Sequence, residues 1–243
     1  MIMNHKTTIF KIGGSILEDF ENVSSTISQL SYLYEKDIIQ KIIIIPGGGS
    51  FANFIRKIYD DLKFTDELAH WMSIISMNYN GIELGKRFPK IEAFEDYRRL
   101  KDTDKTFSIF LPYQFLKNND KLPHNWQVTS DSITLFLARS FGVNECFLVK
   151  DVDGIMDEKT QVIKEISTRE FRKLKEFGKL LRLKNSDDEL KNQSRPIDPY
   201  LLTLIEKWDF SCVILNGTSG SHRIIDFFDA SKSLQEKIFT RII

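Results

Sequence analysis

Cysteine is scarce in this chain. Two residues, Cys146 and Cys212, among 243 cannot form the disulfide framework that holds many small secreted domains together. Both stand inside apolar runs, which points to buried free thiols in a reducing compartment rather than to a metal site. Long hydrophobic stretches are missing as well. None approaches the roughly 18 residues that a membrane span needs. Nor is either charge in excess: Lys+Arg and Asp+Glu both count 34, so no net field draws the chain to nucleic acid or to an anionic membrane. Even the charged stretch 169–191 mixes both signs and reads as a solvated helix and loop. The start, Met1-Ile2-Met3-Asn4-His5-Lys6, has no signal-peptide pattern and leads straight into a β-rich segment. With no internal repeat and no interdomain linker, the expectation is a soluble cytoplasmic protein of one domain over 1–243. Its lobes, about 1–140 and about 141–243, should share one sheet.

Glycine is also sparse, yet five of the 12 glycines fall in two clusters, Lys11-Ile12-Gly13-Gly14-Ser15 and Pro46-Gly47-Gly48-Gly49-Ser50. Each cluster closes a β-branched run, and each precedes a segment that can start a helix. Glycine lets backbone N–H groups approach an anion with no Cβ in the way. A helix start adds positive potential at the same spot. Two such turns in one domain suit two phosphate-bearing ligands that face each other. The Gly-x-x-x-x-Gly-Lys-Ser/Thr spacing of a P-loop is absent, so P-loop chemistry is not expected.

Hydrophobic periodicity places the rest. Thr7–Ile12 and Ile42–Ile45 read as strands, and Phe20, Val23, Ile27, Leu30 and Leu33 recur at helical spacing between them. Phe51–Leu62 reads as a helix that Ser50 can cap. Strand, helix, strand, helix is the pattern of a parallel sheet with crossover helices. A long helix follows over Asp66–Phe88, with Leu68, Trp71, Met72, Ile75 and Tyr79 expected inward and Gly81 and Gly85 expected to weaken or end it. Further strands are expected at Phe107–Leu111, Glu145–Val149 and Ser211–Leu215, and helices at Ser130–Ser140, after the capping box Ser167-Thr168-Arg169-Glu170, and at Pro199–Trp208. The turn Asn216–Gly220 should lead into a last helix, and the stretch Gly178–Pro196 is polar and poorly periodic.

Candidate chemistry sits at the strand ends. Lys11 precedes the first glycine turn, where an ammonium can meet a phosphoryl group held by the turn's N–H groups. Its plainer alternative is a surface lysine before an ordinary turn. Thr129-Ser130-Asp131 opens a helix, and capping alone would account for it. Asp151-Val152-Asp153-Gly154 follows a buried strand and can border a ribose or base, or simply end the strand as an Asx turn.

Taken in order, Lys11–Ser15, Pro46–Ser50, Thr129–Ala138, Leu148–Met156 and Val213–Gly217 resemble the amino acid kinase family. Carbamate, acetylglutamate, aspartate, uridylate and isopentenyl phosphate kinases share that fold. The resemblance implies an α/β protein, a three-layer α/β/α sandwich around a mostly parallel sheet. It places ATP over the C-terminal part and the acceptor over the N-terminal part. By the same resemblance Lys11 neutralises the transferring phosphoryl group and Asp131 orients that lysine. Gly13, Gly14 and Ser15 cradle ATP phosphates, and Asp151, Asp153, Gly154, Met156 and Lys159 border the nucleotide. Gly47, Gly48, Gly49 and Thr129 hold the acceptor. Mg²⁺ bridges the phosphates, and no metal-ligating side chain is implied. A homodimer or higher homo-oligomer is implied too, with the Asp66–Phe88 helix able to offer an apolar face.

Two departures stand out. Many relatives carry a second lysine in a Gly-rich segment before the penultimate helix; here Lys179, Arg182, Lys184, Lys191 and Arg195 are all available with no clean match. Several relatives also have an aromatic residue near Met156. The acceptor is narrowed by Ala69-His70-Trp71-Met72 and Leu122–Asp131, which are similar to a branch of the family that acts in methanofuran biosynthesis on an aminomethylfuran-methyl phosphate. This implies that His70, His124 and Trp126 approach the acceptor. Isopentenyl phosphate kinases carry a histidine just after the second turn, where this chain reads Gly49-Ser50-Phe51-Ala52-Asn53. The expected activity is ATP-dependent transfer to a small phosphate monoester, with no nucleic acid or membrane partner. A uridylate or isopentenyl phosphate kinase-like enzyme and a non-catalytic nucleotide-binding module are the other readings.

Overall fold

A computed structural model describes residues 5–100, 103–181 and 197–243. Strand β1 (His5–Ile12) runs into a short helix α1 (Gly14–Glu18) and then α2 (Phe20–Glu35), whose N-cap Asp19 accepts from Asn22 N–H. Next come β2 (Ile39–Pro46), α3 (Gly49–Ile58) and the long α4 (Asp66–Arg87). The middle of the chain supplies β3 (Glu92–Phe94), β4 (Thr106–Phe110), α5 (Tyr113–Asn119) and α6 (Ser130–Ser140). Then follow β5 (Glu145–Lys150), β6 (Glu165–Ile166) and α7 (Thr168–Glu176), which is capped by Ser167 as its capping box requires. The last elements are α8 (Pro199–Trp208), β7 (Ser211–Asn216), α9 (Arg223–Phe228) and β8 (Thr240–Ile242).

The strands form an eight-stranded sheet in the order β3-β4-β2-β1-β5-β7-β8-β6. Neighbours run parallel except β7 and β8, which are antiparallel. Residues 5–110 supply one half of the sheet and residues 145–242 the other, joined where β1 pairs with β5 in the register Lys11↔Leu148 and Ile12↔Val149. The central strands are apolar along their length because helices cover both faces. On one face Phe10, Ile42 and Val213 pack with Val23, Ile27 and Leu30 of α2 and Ile224 of α9. On the other, Ile9, Ile43 and Ile214 pack with Ile133 and Leu137 of α6 and Leu201 and Ile205 of α8. Each fully buried Leu or Ile contributes about 1.5–3 kcal/mol of transfer free energy. The three-layer α/β sandwich is therefore the fold.

Two local expectations need correcting. Helix α4 is unbroken through Gly81 and Gly85, and it turns a different stripe inward. Ala69, His70, Ile74, Met77, Gly81 and Leu84 are buried, whereas Leu68, Ile75 and Tyr79 are exposed. The reason is clearance: a Cβ on Gly81 would lie 2.4 Å from Leu111 Cδ2, so the small-residue stripe alone lets α4 press against the sheet. Ser50 is not a cap; α3 already begins at Gly49, with Gly48 as N-cap and no side-chain hydrogen bond. Helix α9 is the expected last helix. β8 follows and adds the antiparallel strand beside β7. The cysteines behave as expected: both are buried free thiols, paired in register across β5 and β7.

Candidate active site

β1, β2, β5 and β7 are neighbours in the sheet, and the candidate residues gather at their carboxyl ends. Lys11 sits one residue before the end of β1 with its side chain 5% exposed, and its Nζ lies 3.0 Å from Asp131 Oδ1. Asp131 enters from the first turn of α6 and is equally buried. A second ammonium meets the same carboxylate: Lys150 Nζ, at the end of β5, donates to Asp131 Oδ1 at 2.8 Å and Oδ2 at 2.7 Å. One carboxylate thus stands between two ammonium groups. Burial works against the Asp131 charge, but Lys11 and then Lys150 outweigh it and hold the carboxyl at about 2. Burial also dominates at Lys11, and with Lys150 nearby it brings the ammonium down to about 8 despite Asp131.

Helix α6 is held in place by Asp198, which the sequence reading did not single out. Asp198 Oδ2 accepts from Thr129 N–H (3.0 Å), Thr129 Oγ1 (2.8 Å) and Ser132 N–H (2.9 Å). Its Oδ1 accepts from Ser132 Oγ and from Leu201 N–H, capping α8. One side chain so fixes the starts of two helices and with them the angle at which Asp131 is presented. Burial, followed by the nearby Asp131 charge, pushes the Asp198 carboxyl upward. The signal for it was available: Asp before Pro199 is an N-cap followed by a proline in the first turn. Lys150 was legible only as a polar residue ending an apolar strand.

The two glycine turns touch. A Cβ on Gly14 would lie 2.7 Å from Gly49 Cα, and one on Gly47 would lie 3.1 Å from Gly14 N and 3.4 Å from Lys11 Cε. The Lys11 stem therefore passes directly beside the second turn. Gly13 is buried and donates to Val149 O, which ties the first turn to β5, while Asn80 Nδ2 donates to Gly47 O at 2.7 Å and fixes the second. Neither α1 nor α3 has a side-chain cap, so no side chain at the cap position takes up their leading N–H groups.

A cavity of about 250 Å³ opens on the side of α3 and α4. Gly14, Ser15, Gly48 and Gly49 form one end, and His70, Trp126 and Thr129 line its walls. Lys11, Asp131 and Gly47 are not in its lining; they lie behind the turns. Residues not foreseen from sequence complete it, among them Asn53, Arg56 and Asp66. Trp126 is clamped by the Arg56 guanidinium, 4.8 Å from its ring centroid, and by the edge of Tyr59 at 5.5 Å. The Tyr59 hydroxyl in turn hydrogen-bonds Asp66. His70 Nε2 lies 2.7 Å from Asp120 Oδ2, and His124 Nε2 3.4 Å from the same oxygen, with the two imidazoles stacked at 4.1 Å and 14°. These three groups bring ligand atoms within 4.8 Å of one another. The parallel rings suit a carboxylate shared by two imidazoles better than radial ligation of one ion.

On the far side of β5, Asp151 is exposed and Asp153 is engaged, accepting from Arg223 Nε (3.0 Å) and Asn216 Nδ2 (3.1 Å). Gly154 has φ +149 and packs where a Cβ would lie 2.3 Å from Thr240 Oγ1. Met156 is half-buried and bridges to Val162, and Lys159 is exposed in the adjoining turn. Lys179 is exposed, and its carbonyl accepts from Glu158 N–H at 3.0 Å. Arg182, Lys184, Lys191 and Arg195 lie outside the described residues.

The model of the amino acid kinase family matches residues 6–216. The chain belongs to the amino acid kinase family. Within it, a "[5-(aminomethyl)furan-3-yl]methyl phosphate kinase" of Methanocaldococcus jannaschii is 30% identical over 233 residues, 95% of this chain and 96% of the relative. Among solved structures the chain is similar to a UMP kinase from Ureaplasma parvum, with TM-score 0.64, 17% identity, and coverage of 98% of this chain and 99% of the other. A uridylate kinase from Archaeoglobus fulgidus has TM-score 0.64 at 14% identity, covering 98% and 100%. These two likenesses show the fold of the family. As a member of this family with kinases for relatives, the protein is a phosphotransferase. Among the described residues, no helix is long and apolar enough to cross a membrane.

Proposed function

We propose that the protein transfers the γ-phosphoryl group of ATP to the phosphate of a small phosphate-monoester acceptor, an aminomethylfuran-methyl phosphate. One observation carries the reading. The two glycine turns abut beside a buried Lys11–Asp131 pair, and a cavity leads away from them on the acceptor side. ATP phosphates at the Gly13-Gly14-Ser15 turn and an acceptor phosphate at the Gly47–Gly49 turn would lie end to end. Lys11 neutralises charge on the group in flight, and Asp131 holds that ammonium in place. Thr129 borders the acceptor, while Asp151, Asp153, Gly154, Met156 and Lys159 lie on the nucleotide side. Such a site catalyses by positioning and charge neutralisation, with the attacking and leaving oxygens in line.

Mg²⁺, when bound with the nucleotide, would offset phosphate charge. The carboxylates fit an ion held mainly by phosphates and water: Asp131 is occupied by two ammonium groups and Asp153 by Arg223 and Asn216, which leaves the exposed Asp151 at the tip of β5.

The acceptor assignment is supported by the cavity. Trp126, held in the cavity wall by Arg56 and Tyr59, offers apolar contact to a furan. Asp66, about seven residues and so on the order of 10 Å along α4 from Ser73 beside Gly48, offers a carboxylate to an aminomethyl group. The exposed Leu68, Ile75, Tyr79 and Ile82 on α4 support self-association, and the free buried thiols fit a reducing, cytoplasmic setting. ADP release measured against aminomethylfuran-methyl phosphate, UMP and isopentenyl phosphate tests the reading. Turnover with the first alone is expected; preference for UMP or isopentenyl phosphate would replace the acceptor, and nucleotide binding without turnover on any would leave a binding module.

A further inference from the structure

We propose that Lys150 is a catalytic residue, the second cation that meets the transferring phosphoryl group. This rests on the kinase reading above and adds a group that neither the sequence reading nor the resemblance had placed in the site. Lys150 ends β5, with β1 on one side and β7 on the other, paired in register with Asn216. Its α-carbon and stem border the first glycine turn: a Cβ on Gly13 would lie 3.7 Å from Lys150 Cδ and 3.9 Å from its Cα. The same residue's carbonyl accepts from Gly217 N–H at 2.8 Å, so its backbone is pinned between the turns that follow β1 and β7.

The head group is equally constrained. Two hydrogen bonds to Asp131, at 2.7 and 2.8 Å, hold it on the carboxylate that Lys11 also meets, and both lysines contact Oδ1. An ammonium has three donors, so neither lysine exhausts its N–H groups on Asp131. Lys150 is also the more open of the two, with a side chain 14% exposed against 5% for Lys11.

Charge explains why such a cluster would persist. Asp131 is the carboxylate bonded to both ammonium groups, while Asp198 acts on Lys11 from farther off, its own oxygens being bonded to Thr129, Ser132 and Leu201. Lys150 opposes the protonation of Lys11. A polyanion arriving at the glycine turns relieves that repulsion, and most of all when charge builds up between donor and acceptor. In the step itself an oxygen of the acceptor phosphate forms a bond to the γ-phosphorus. The bond from that phosphorus to the bridging oxygen breaks, and ADP leaves with the electron pair. Lys11 and Lys150 flank the group in transit, and no proton need move to or from either.

Calorimetry on the full chain tests this apart from turnover. ADP and a non-hydrolysable triphosphate analogue are titrated with Mg²⁺ into the wild type, Lys150→Met and Lys150→Arg. The wild type is expected to favour the triphosphate, and Lys150→Met to lose that margin by about tenfold or more while ADP affinity changes little. Lys150→Arg, which keeps the charge, should retain part of it. In parallel, kcat of Lys150→Met should fall by about 10²-fold, and the alkaline limb of kcat/KM should move above the wild-type position near 8, because Lys11 loses a like-charged neighbour. A Lys150→Met variant with an unchanged margin and unchanged kcat overturns the proposal while leaving the kinase reading intact. Equal losses of ADP and triphosphate affinity in both variants, with a lowered Tm, overturn it in favour of a structural role. A wild type that binds neither nucleotide removes the kinase reading and this inference together.

Discussion

The lysine centre and the acceptor cavity are built on opposite principles. Lys11, Asp131, Lys150 and Asp198 are packed at the strand tips, where several hydrogen bonds fix each carboxylate and little water enters. In the cavity, Arg56, Asp66 and Asn53 are exposed on helices α3 and α4, and they share its wall with Trp126. A buried charge must be paired to be tolerated, so the centre has little freedom to vary. An exposed wall bears no such penalty. On the proposed function, chemistry would reside in the first region and acceptor choice in the second, and a fold that keeps the first could change the second.

Substitutions should break this contrast in a graded way. Lys11→Met is expected to lower phosphoryl transfer by at least about 10²–10³-fold while Tm holds or rises, since Asp131 keeps Lys150 and a desolvated ammonium is gone; ADP-release kinetics with a melting curve check it. Asp131→Ala removes the shared partner and should destabilise by about 3–5 kcal/mol, read by denaturant unfolding, because two ammonium groups then face each other in the interior.

The centre should also respond to pH. The Lys11 ammonium is brought down to about 8, so kcat/KM should fall as pH rises past that value. Stability has the opposite sign there: below about 8 the folded state carries the cost of a desolvated ammonium, and this cost lifts as pH climbs toward 10.5. Asp131 is held at about 2 against 3.8, so its contribution is complete above 3.8 and drains away as pH falls toward 2. Smaller effects belong to the cavity. Trp126→Ala should raise the acceptor KM by about tenfold with kcat little changed. Asp66→Asn, at an exposed position, should cost only about a few-fold in KM, and only for acceptors that bear an amine. Steady-state kinetics with and without the amine separates the two.

Much of this was legible before any coordinates. The β-branched runs ending at Ile12 and Pro46 announced buried parallel strands, and the clustered glycines marked turns where backbone and ligand approach. Lys11, Asp131, His70 and Trp126 could each be named from motif order. Helix α4 was misjudged because two apolar stripes compete on it, and clearance at Gly81 rather than hydrophobicity decides which one faces the sheet. Strands β3 and β8 span three residues each and carry too short a pattern to detect.

By itself, then, the amino-acid order determined the layer pattern, the glycine turns and the place of the first lysine at a strand end, because periodicity and glycine placement act locally along the chain. Only tertiary structure brought Lys150 to Asp131 across 19 residues and Asp198 to Thr129 across 69. Such contacts exist because β1, β5 and β7 lie side by side in the sheet, and strand order is settled by packing over the whole domain rather than by any one segment.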